Sequence, residues 1–331
     1  MSFTKKIVLL FLSVIFIILL TSCSKDNKTY SNKINVNIAV LKGPSGLGAL
    51  KLIDDSKGDS LSNNYNVSVR TDPSQIVAEL SNGEMDIAAL PTNLASTLYN
   101  KSSGDIQIVT LNTLGVLYVL ADESENVNNV SDLKNKILYV SGQGSVPEYA
   151  MDFILSSNGL SPNSDVNIEY KTEHSELASL MISGQCKIGL LPEPFVTQVK
   201  SKNPNIKISV DLTREWDNIV KNDSSLAMGC IVVRKNFAEN NKEALNKFLN
   251  EYKKSVEFTN NNIEEVSVLS ETYDIMPRDI ARLAIPNCNI VYIVGEEMRS
   301  KTKGFLDTLF KFEPKSVGGK TPGGDFYYYK E

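Results

Sequence analysis

Residues 74–100 read SQIVAELSNGEMDIAALPTNLASTLYN. At its front edge, Asp72-Pro73-Ser74 sets a hydrogen-bond acceptor before a proline, a helix start, and Asn82-Gly83 supplies the stop. Residues 86–90 (DIAAL) are a short apolar run of the kind that forms a buried strand. Pro91-Thr92-Asn93 then opens another helix.

The same order returns at an offset of 101 residues. Residues 175–183 read as a helix ending at Gly184, residues 187–191 (KIGLL) as a strand, and Pro192-Glu193-Pro194-Phe195 as the next helix opening. In this register Gly43 matches Gly144, Leu80 matches Met181, and Gly83 matches Gly184. Ile87 likewise matches Ile188, Leu90 matches Leu191, and Pro91 matches Pro192. Each half also begins with a strand and a glycine loop: residues 34–41 (INVNIAVL) before KGPSGLG, and residues 136–140 (KILYV) before SGQGS. Short strands at residues 65–70 and 166–170 complete the two sets. Alternating strands and helices in two phased halves give an α/β fold of two related lobes.

Working outward, residues 108–120 (IVTLNTLGVLYVL), interrupted at Asn112-Thr113, suit a strand that crosses between lobes. Residues 227–234 (AMGCIVVR) suit the return. The chain then divides into a first lobe of residues 34–112 and 229–331 and a second lobe of residues 113–228. Residues 235–312 are mainly helical, with the amphipathic spacing of Phe237, Leu245, Phe248, Leu249, Tyr252 and Val256, and are predicted to pack on the first lobe.

The N-terminus carries Lys5 and Lys6, an uncharged apolar run from Ile7 to Leu20, and then Leu20-Thr21-Ser22-Cys23. The run is short against the roughly 20 residues that span a bilayer, and small residues follow it, so residues 1–22 read as a signal peptide. The tetrapeptide resembles the bacterial lipoprotein box, which implies lipidation of Cys23, palmitate included. Polar residues 23–33 then form a tether, and the chain works at the cell membrane on its extracytoplasmic face.

The formal charge is −5, with no basic block, which argues against nucleic acid as a partner. With Cys23 lipidated, Cys186, Cys230 and Cys288 remain, an odd number that implies no disulfide framework. The single histidine, His174, excludes a His-based zinc site and a two-histidine mechanism by count, and its place just before a helix predicts a surface position. No metal, cofactor or catalytic constellation is called for, and a monomer is expected.

The lipobox, KGPSGLG, residues 74–100, residues 137–155 (ILYVSGQGSVPEYAMDFIL) and residues 189–195 (GLLPEPF) together resemble the substrate-binding lipoproteins of ABC importers. The similarity is to the nitrate, sulfonate, taurine and thiamine-precursor binding group, and it implies the two-lobed type II periplasmic-binding-protein fold. It also implies a small anionic, zwitterionic or heterocyclic solute, delivered to a membrane permease and its ATPase. By the family pattern, the loops after the strands line the site.

Ligands of open α/β sheets bind beyond the C-terminal strand ends, where helix N-termini offer free N–H groups. The predicted ligand contacts are Lys42, Gly43, Ser45, Gly46, Thr92, Asn93, Asn112, Leu114, Gly142, Gly144, Ser145 and Glu193. Glu193 has two readings: it receives a ligand amine, or it caps a helix. Trp216, Tyr149, Phe195 and Tyr118 are candidates either for stacking on a flat ligand or for core packing.

Three other readings compete with this one. Gly142-Gln143-Gly144 follows a strand, but Pro147 holds the third glycine position of a dinucleotide fingerprint, and no P-loop pattern occurs. A pyrimidine-synthesising enzyme of the same fold, acting with pyridoxal phosphate, would have to use His174, and the cysteine-rich motif of that branch is absent. A surface lipoprotein with no transport role would show no sealed cleft.

Overall fold

A computed structural model describes residues 33–221 and 224–329. The signal peptide, Cys23 and nearly all of the tether lie outside the described residues. From β1 (Asn35–Leu41) the chain runs through α1 (Pro44–Asp55), β2 (Asn64–Arg70), α2 (Pro73–Ser81), β3 (Ile87–Pro91) and α3 (Thr92–Lys101) to β4 (Ile106–Thr113). It then builds β5 (Leu117–Asp122), β6 (Ile137–Ser141), α4 (Val146–Ser157), β7 (Asn167–Lys171) and α5 (His174–Ile182). β8 (Ile188–Pro192), α6 (Phe195–Lys202), β9 (Ile206–Asp211) and α7 (Leu212–Ile219) follow. The return consists of β10 (Gly229–Arg234), α8 (Lys235–Asn240), α9 (Lys242–Asn261), α10 (Ile263–Thr272), α11 (Arg278–Ala284), β11 (Ile290–Ile293) and α12 (Gly295–Phe312).

Two sheets result. The first has the order β11-β4-β10-β3-β1-β2 and the second β7-β6-β8-β5-β9. In each, three parallel strands come first: β1 pairs with β2 and β3, and β6 pairs with β7 and β8. Next to β3 and β8 lies a strand from the crossing connections, antiparallel in both cases: β10 in the first sheet and β5 in the second. The two lobes are therefore built on one plan, as the 101-residue register predicts. β3 and β8 coincide at that offset at both ends, as do α2 and α5. Ile87 to Leu90 and Ile188 to Leu191 are buried throughout, as expected of central strands covered on both faces.

α9 buries Phe248, Leu249, Tyr252 and Val256 in one core with Leu47, Leu50 and Leu52 of α1. Polar ties fix the pair: the Ser255 hydroxyl donates to Gly48 O at 2.7 Å, and that of Thr259 to Leu47 O at 3.0 Å. α12 behaves differently. Its Phe305, Leu306 and Leu309 share a core with Trp216 of α7 and Met151 of α4, so the C-terminal part is not confined to the first lobe. The break in the crossing also falls later than predicted. β4 runs through Asn112 and Thr113, since Thr113 pairs with both Gly229 and Ile290, and the break is residues 114–116. Gly115 stands there against Thr213, where a Cβ would meet Oγ1 at 2.0 Å, so no larger residue fits that turn.

On α4, burial and the Glu148 charge one turn earlier push the Asp152 carboxyl up to about 7. A carboxyl whose pKa rises on folding from 3.8 adds stability at low pH that is lost as pH climbs through the folded value. Stability is thus expected to decline between about pH 4 and pH 7 through this group. Asp152→Asn should remove that slope and raise the melting temperature at pH 8, as thermal melts at pH 5 and pH 8 would show.

Candidate functional site

A cavity of about 490 Å³ opens between the sheets. The last residues of, or the first beyond, all six parallel strands line it: Leu41, Thr71, Pro91, Gly142, Thr172 and Pro192. Backbone N–H groups at the following helix N-termini have no intrahelical acceptor. Asp72 caps α2 by accepting from Ser74 N at 2.8 Å. α1, α4 and α5 have no side-chain cap, which leaves the positive ends of three helices beside the cavity.

Of the twelve sequence-derived contacts, Lys42, Ser45, Asn112, Gly142, Ser145 and Glu193 line the cavity. Lys42 pairs with Asp274 at 2.8 Å across its mouth. Ser45 and Ser145 spend their hydroxyl protons on Leu41 O and Gly142 O, at 3.1 and 2.9 Å, and keep lone pairs. The Asn112 side chain accepts from the Thr113 hydroxyl at 3.2 Å. Glu193 is buried, and its two oxygens accept from Thr197 N and Oγ1, each at 3.0 Å, so its bonds are those of a helix cap. Burial raises its carboxyl pKa, against the lowering effect of those bonds.

The other six lie off the cavity wall. Gly43, at φ 115°, comes to within 3.9 Å of Pro194 in the opposite lobe, measured from a Cβ placed on it. Gly46 is a packing glycine, because a Cβ there would stand 2.7 Å from the carbonyl oxygen of Leu41. Thr92 is wholly buried beside Cys230. Asn93 donates to Gly144 O at 3.3 Å and to Ser316 O at 3.1 Å. Leu114 packs against the core. Gly144 donates its N–H to Glu148 at 2.5 Å.

The sequence reading missed the loops after β2 and β7, where Thr71, Thr172, His174 and Ser175 line the cavity. The signal was present, since Thr71 and Ser74 recur as Thr172 and Ser175 at the same offset. Residues 274–277, between α10 and α11, also close the cavity and lie outside the repeat.

His174 corrects the surface placement. It is the first residue of α5, it lines the cavity, and its Nδ1 lies 2.6 Å from the buried Ser141 hydroxyl. Its ring packs on Phe195, with centroids 5.6 Å apart. Burial pulls the imidazole pKa down to about 4, and a helix N-terminus disfavours a cation too, so the ring is neutral at pH 7. As the chain has one histidine, its NMR signal is unambiguous, and a pH titration of the empty protein is expected to show a midpoint near 4.

Leu41, Val116, Val146, Phe195, Met228 and Met276 supply an apolar part of the wall, and Thr113, Glu173 and Gln198 are further polar members. Trp216 belongs to the core, with Phe153 and Phe305 against its ring. Among the described residues, Lys42 is the one Lys or Arg on the wall, and it is paired. A ligand held here meets neutral donors, helix termini and hydrocarbon, together with three carboxylates, Glu173, Glu193 and Asp274, that already accept from Ser175, Thr197 and Lys42.

A family model described as "ABC transporter, phosphonate, periplasmic substrate-binding protein" matches residues 59–274. No curated protein sequence matches the chain. Among solved structures, an ABC transporter protein from Parabacteroides distasonis is 25% identical, with a TM-score of 0.74, over 90% of this chain and 100% of that one. The periplasmic aliphatic sulphonate binding protein of Escherichia coli has a TM-score of 0.70 at 14% identity, covering 88% of this chain and 90% of its own. The periplasmic nitrate-binding protein of Synechocystis PCC 6803 has a TM-score of 0.60 at 10% identity, over 86% and 82% of the two chains. The two-lobed type II fold is shared with these proteins, and no helix among the described residues is long and apolar enough to cross a membrane. With well over half of its length inside the matched family, the chain belongs to the phosphonate-type periplasmic substrate-binding proteins of ABC transporters.

Proposed function

We propose that the cavity captures a small solute with an oxyanion head and an apolar body, and that the loaded protein delivers it to the permease and ATPase of an importer. One observation carries this reading: the uncapped N-termini of α1, α4 and α5 stand beside a largely apolar cavity whose three carboxylates are each engaged by a protein partner, Glu173 by Ser175, Glu193 by Thr197 and Asp274 by Lys42. Helix termini receive an oxyanion without a paired cation, and the apolar wall favours an organic substituent over hydration. The family description and the sulphonate- and nitrate-binding neighbours point the same way. In this reading the protein acts as a monomer, and the two lobes close on the solute by bending of the crossing strands around residues 112–117 and 228–231.

Thermal shift tests it. Ethylphosphonate, ethanesulfonate, taurine, nitrate and an aminopyrimidine alcohol are compared at equal concentration. A solute at a hundred times its dissociation constant adds about 2.7 kcal/mol to stability. The organic oxyanions should give the largest rise. Stabilisation by the uncharged heterocycle alone would overturn the assignment of the head group.

The site of action rests on the N-terminal sequence, with Cys23 carrying the lipid and the folded lobes on the extracytoplasmic side. Cys23→Ala is expected to move the protein from the membrane fraction to the soluble fraction on cell lysis, while retention of the variant in membranes would reject the lipid anchor.

A further inference from the structure

α3 turns a polar stripe, Asn93, Ser96 and Asn100, toward the C-terminal segment, at the three- and four-residue spacing of one helix face. The Ser96 hydroxyl donates to Val317 O at 2.9 Å. The Asn100 amide donates to Val317 O at 2.9 Å and Lys320 O at 2.6 Å. Those two side chains serve the segment alone. Asn93 does something else with its amide: one bond goes to Ser316 O in the segment and the other crosses to Gly144 O in the second lobe.

The crossing bond ends on a loop that matters. Gly142 and Ser145 line the cavity on either side of Gly144, and Glu148 grips the Gly144 N–H from behind. Asn93 itself is wholly buried, so its bonds are shielded from water, where a hydrogen bond is stronger and its loss more costly. The contact thus joins the first lobe, the C-terminal segment and the solute-facing loop of the second lobe at one side chain.

We propose that Asn93 is a positioning residue that ties the loop of residues 142–145 to the first lobe and biases the empty protein toward its closed arrangement. A solute then meets a cavity already assembled, instead of losing affinity in proportion to the rarity of the closed form. The role goes beyond solute capture as such and holds whichever solute the cavity takes.

The test measures the distance between lobes in the full chain without solute. Spin labels are placed at Ala78→Cys on α2 and Ser179→Cys on α5, exposed positions equivalent in the repeat, while Cys186, Cys230 and Cys288 are buried. Asn93→Ala and the isosteric Asn93→Asp, which lacks the donor hydrogens, are expected to widen and lengthen the distance distribution. Asn100→Ala, which loosens the same segment without touching Gly144, is expected to leave it unchanged. Apparent solute affinity should fall about 3- to 10-fold in the Asn93 variants, the range for one neutral hydrogen bond. An unaltered distance in both Asn93 variants overturns the proposal, and so does equal widening in Asn100→Ala. Since the distance is read without solute, failure of the oxyanion assignment would show in the thermal shifts alone.

Discussion

Trp216→Ala is expected to lower the unfolding free energy by about 3–5 kcal/mol, the range for deleting a large, fully buried aromatic side chain. Trp216 is wholly buried, with Phe153 of α4 and Phe305 of α12 at centroid distances of 5.0 and 5.3 Å. Phe312 of α12 then stacks edge-on against Phe153 at 5.7 Å. The indole nitrogen also donates to the Ser224 hydroxyl at 3.3 Å. Alanine would therefore leave a cavity at the point where α12 grips the second lobe, and the rigid neighbouring rings have little freedom to fill it. Urea unfolding followed by circular dichroism checks this, and a loss below about 1.5 kcal/mol would mean that the site collapses easily.

His174→Ala is expected to weaken the best-binding oxyanion about 10- to 100-fold, the equivalent of one hydrogen bond to a charged group. The imidazole lines the cavity at an uncapped helix N-terminus, and its Nδ1 is held by Ser141. Among the described residues its Nε2 has no protein partner. Ser141→Ala should cost less, because it frees the ring's orientation without removing the ring. Since the imidazole of the empty protein titrates near 4, its protonation there does not change between pH 6 and pH 8. Isothermal titration at pH 7 with ethylphosphonate reads the effect, and unchanged affinity in His174→Ala would reduce the residue to a passive wall.

Much of the fold was legible because burial writes itself into composition. DIAAL and KIGLL read as short strands covered on both faces, and their common offset announces a repeated lobe. The glycine loops were legible for the same reason. What escaped were properties set by approach between distant segments. Nothing local marks Gly46 as a packing glycine, because the obstructing atom is a carbonyl five residues back and the second is Ile275 on another element. Asn93 looks like any polar residue after a strand, and only the folded chain brings it to Gly144 and Ser316. His174 is the instructive error. Local sequence starts the helix at Ser175, yet the repeat register pairs His174 with Pro73, the first residue of α2, which puts it on the cleft side. Residues 274–277 had no signal, lying beyond both halves of the repeat.

The antiparallel strand set into each sheet has a bearing on synthesis. The second lobe takes all five of its strands from residues 117–211, so the ribosome delivers its sheet complete, ahead of the α12 helix that packs on it. The first cannot close when its early strands emerge, because β3 and β4 are not neighbours, and the piece that belongs between them, residues 229–234, has yet to be made. Closing that gap joins segments more than a hundred residues apart, a slow event for a growing polypeptide. Until it happens the early strands keep open edges, exposed to pairing with other chains.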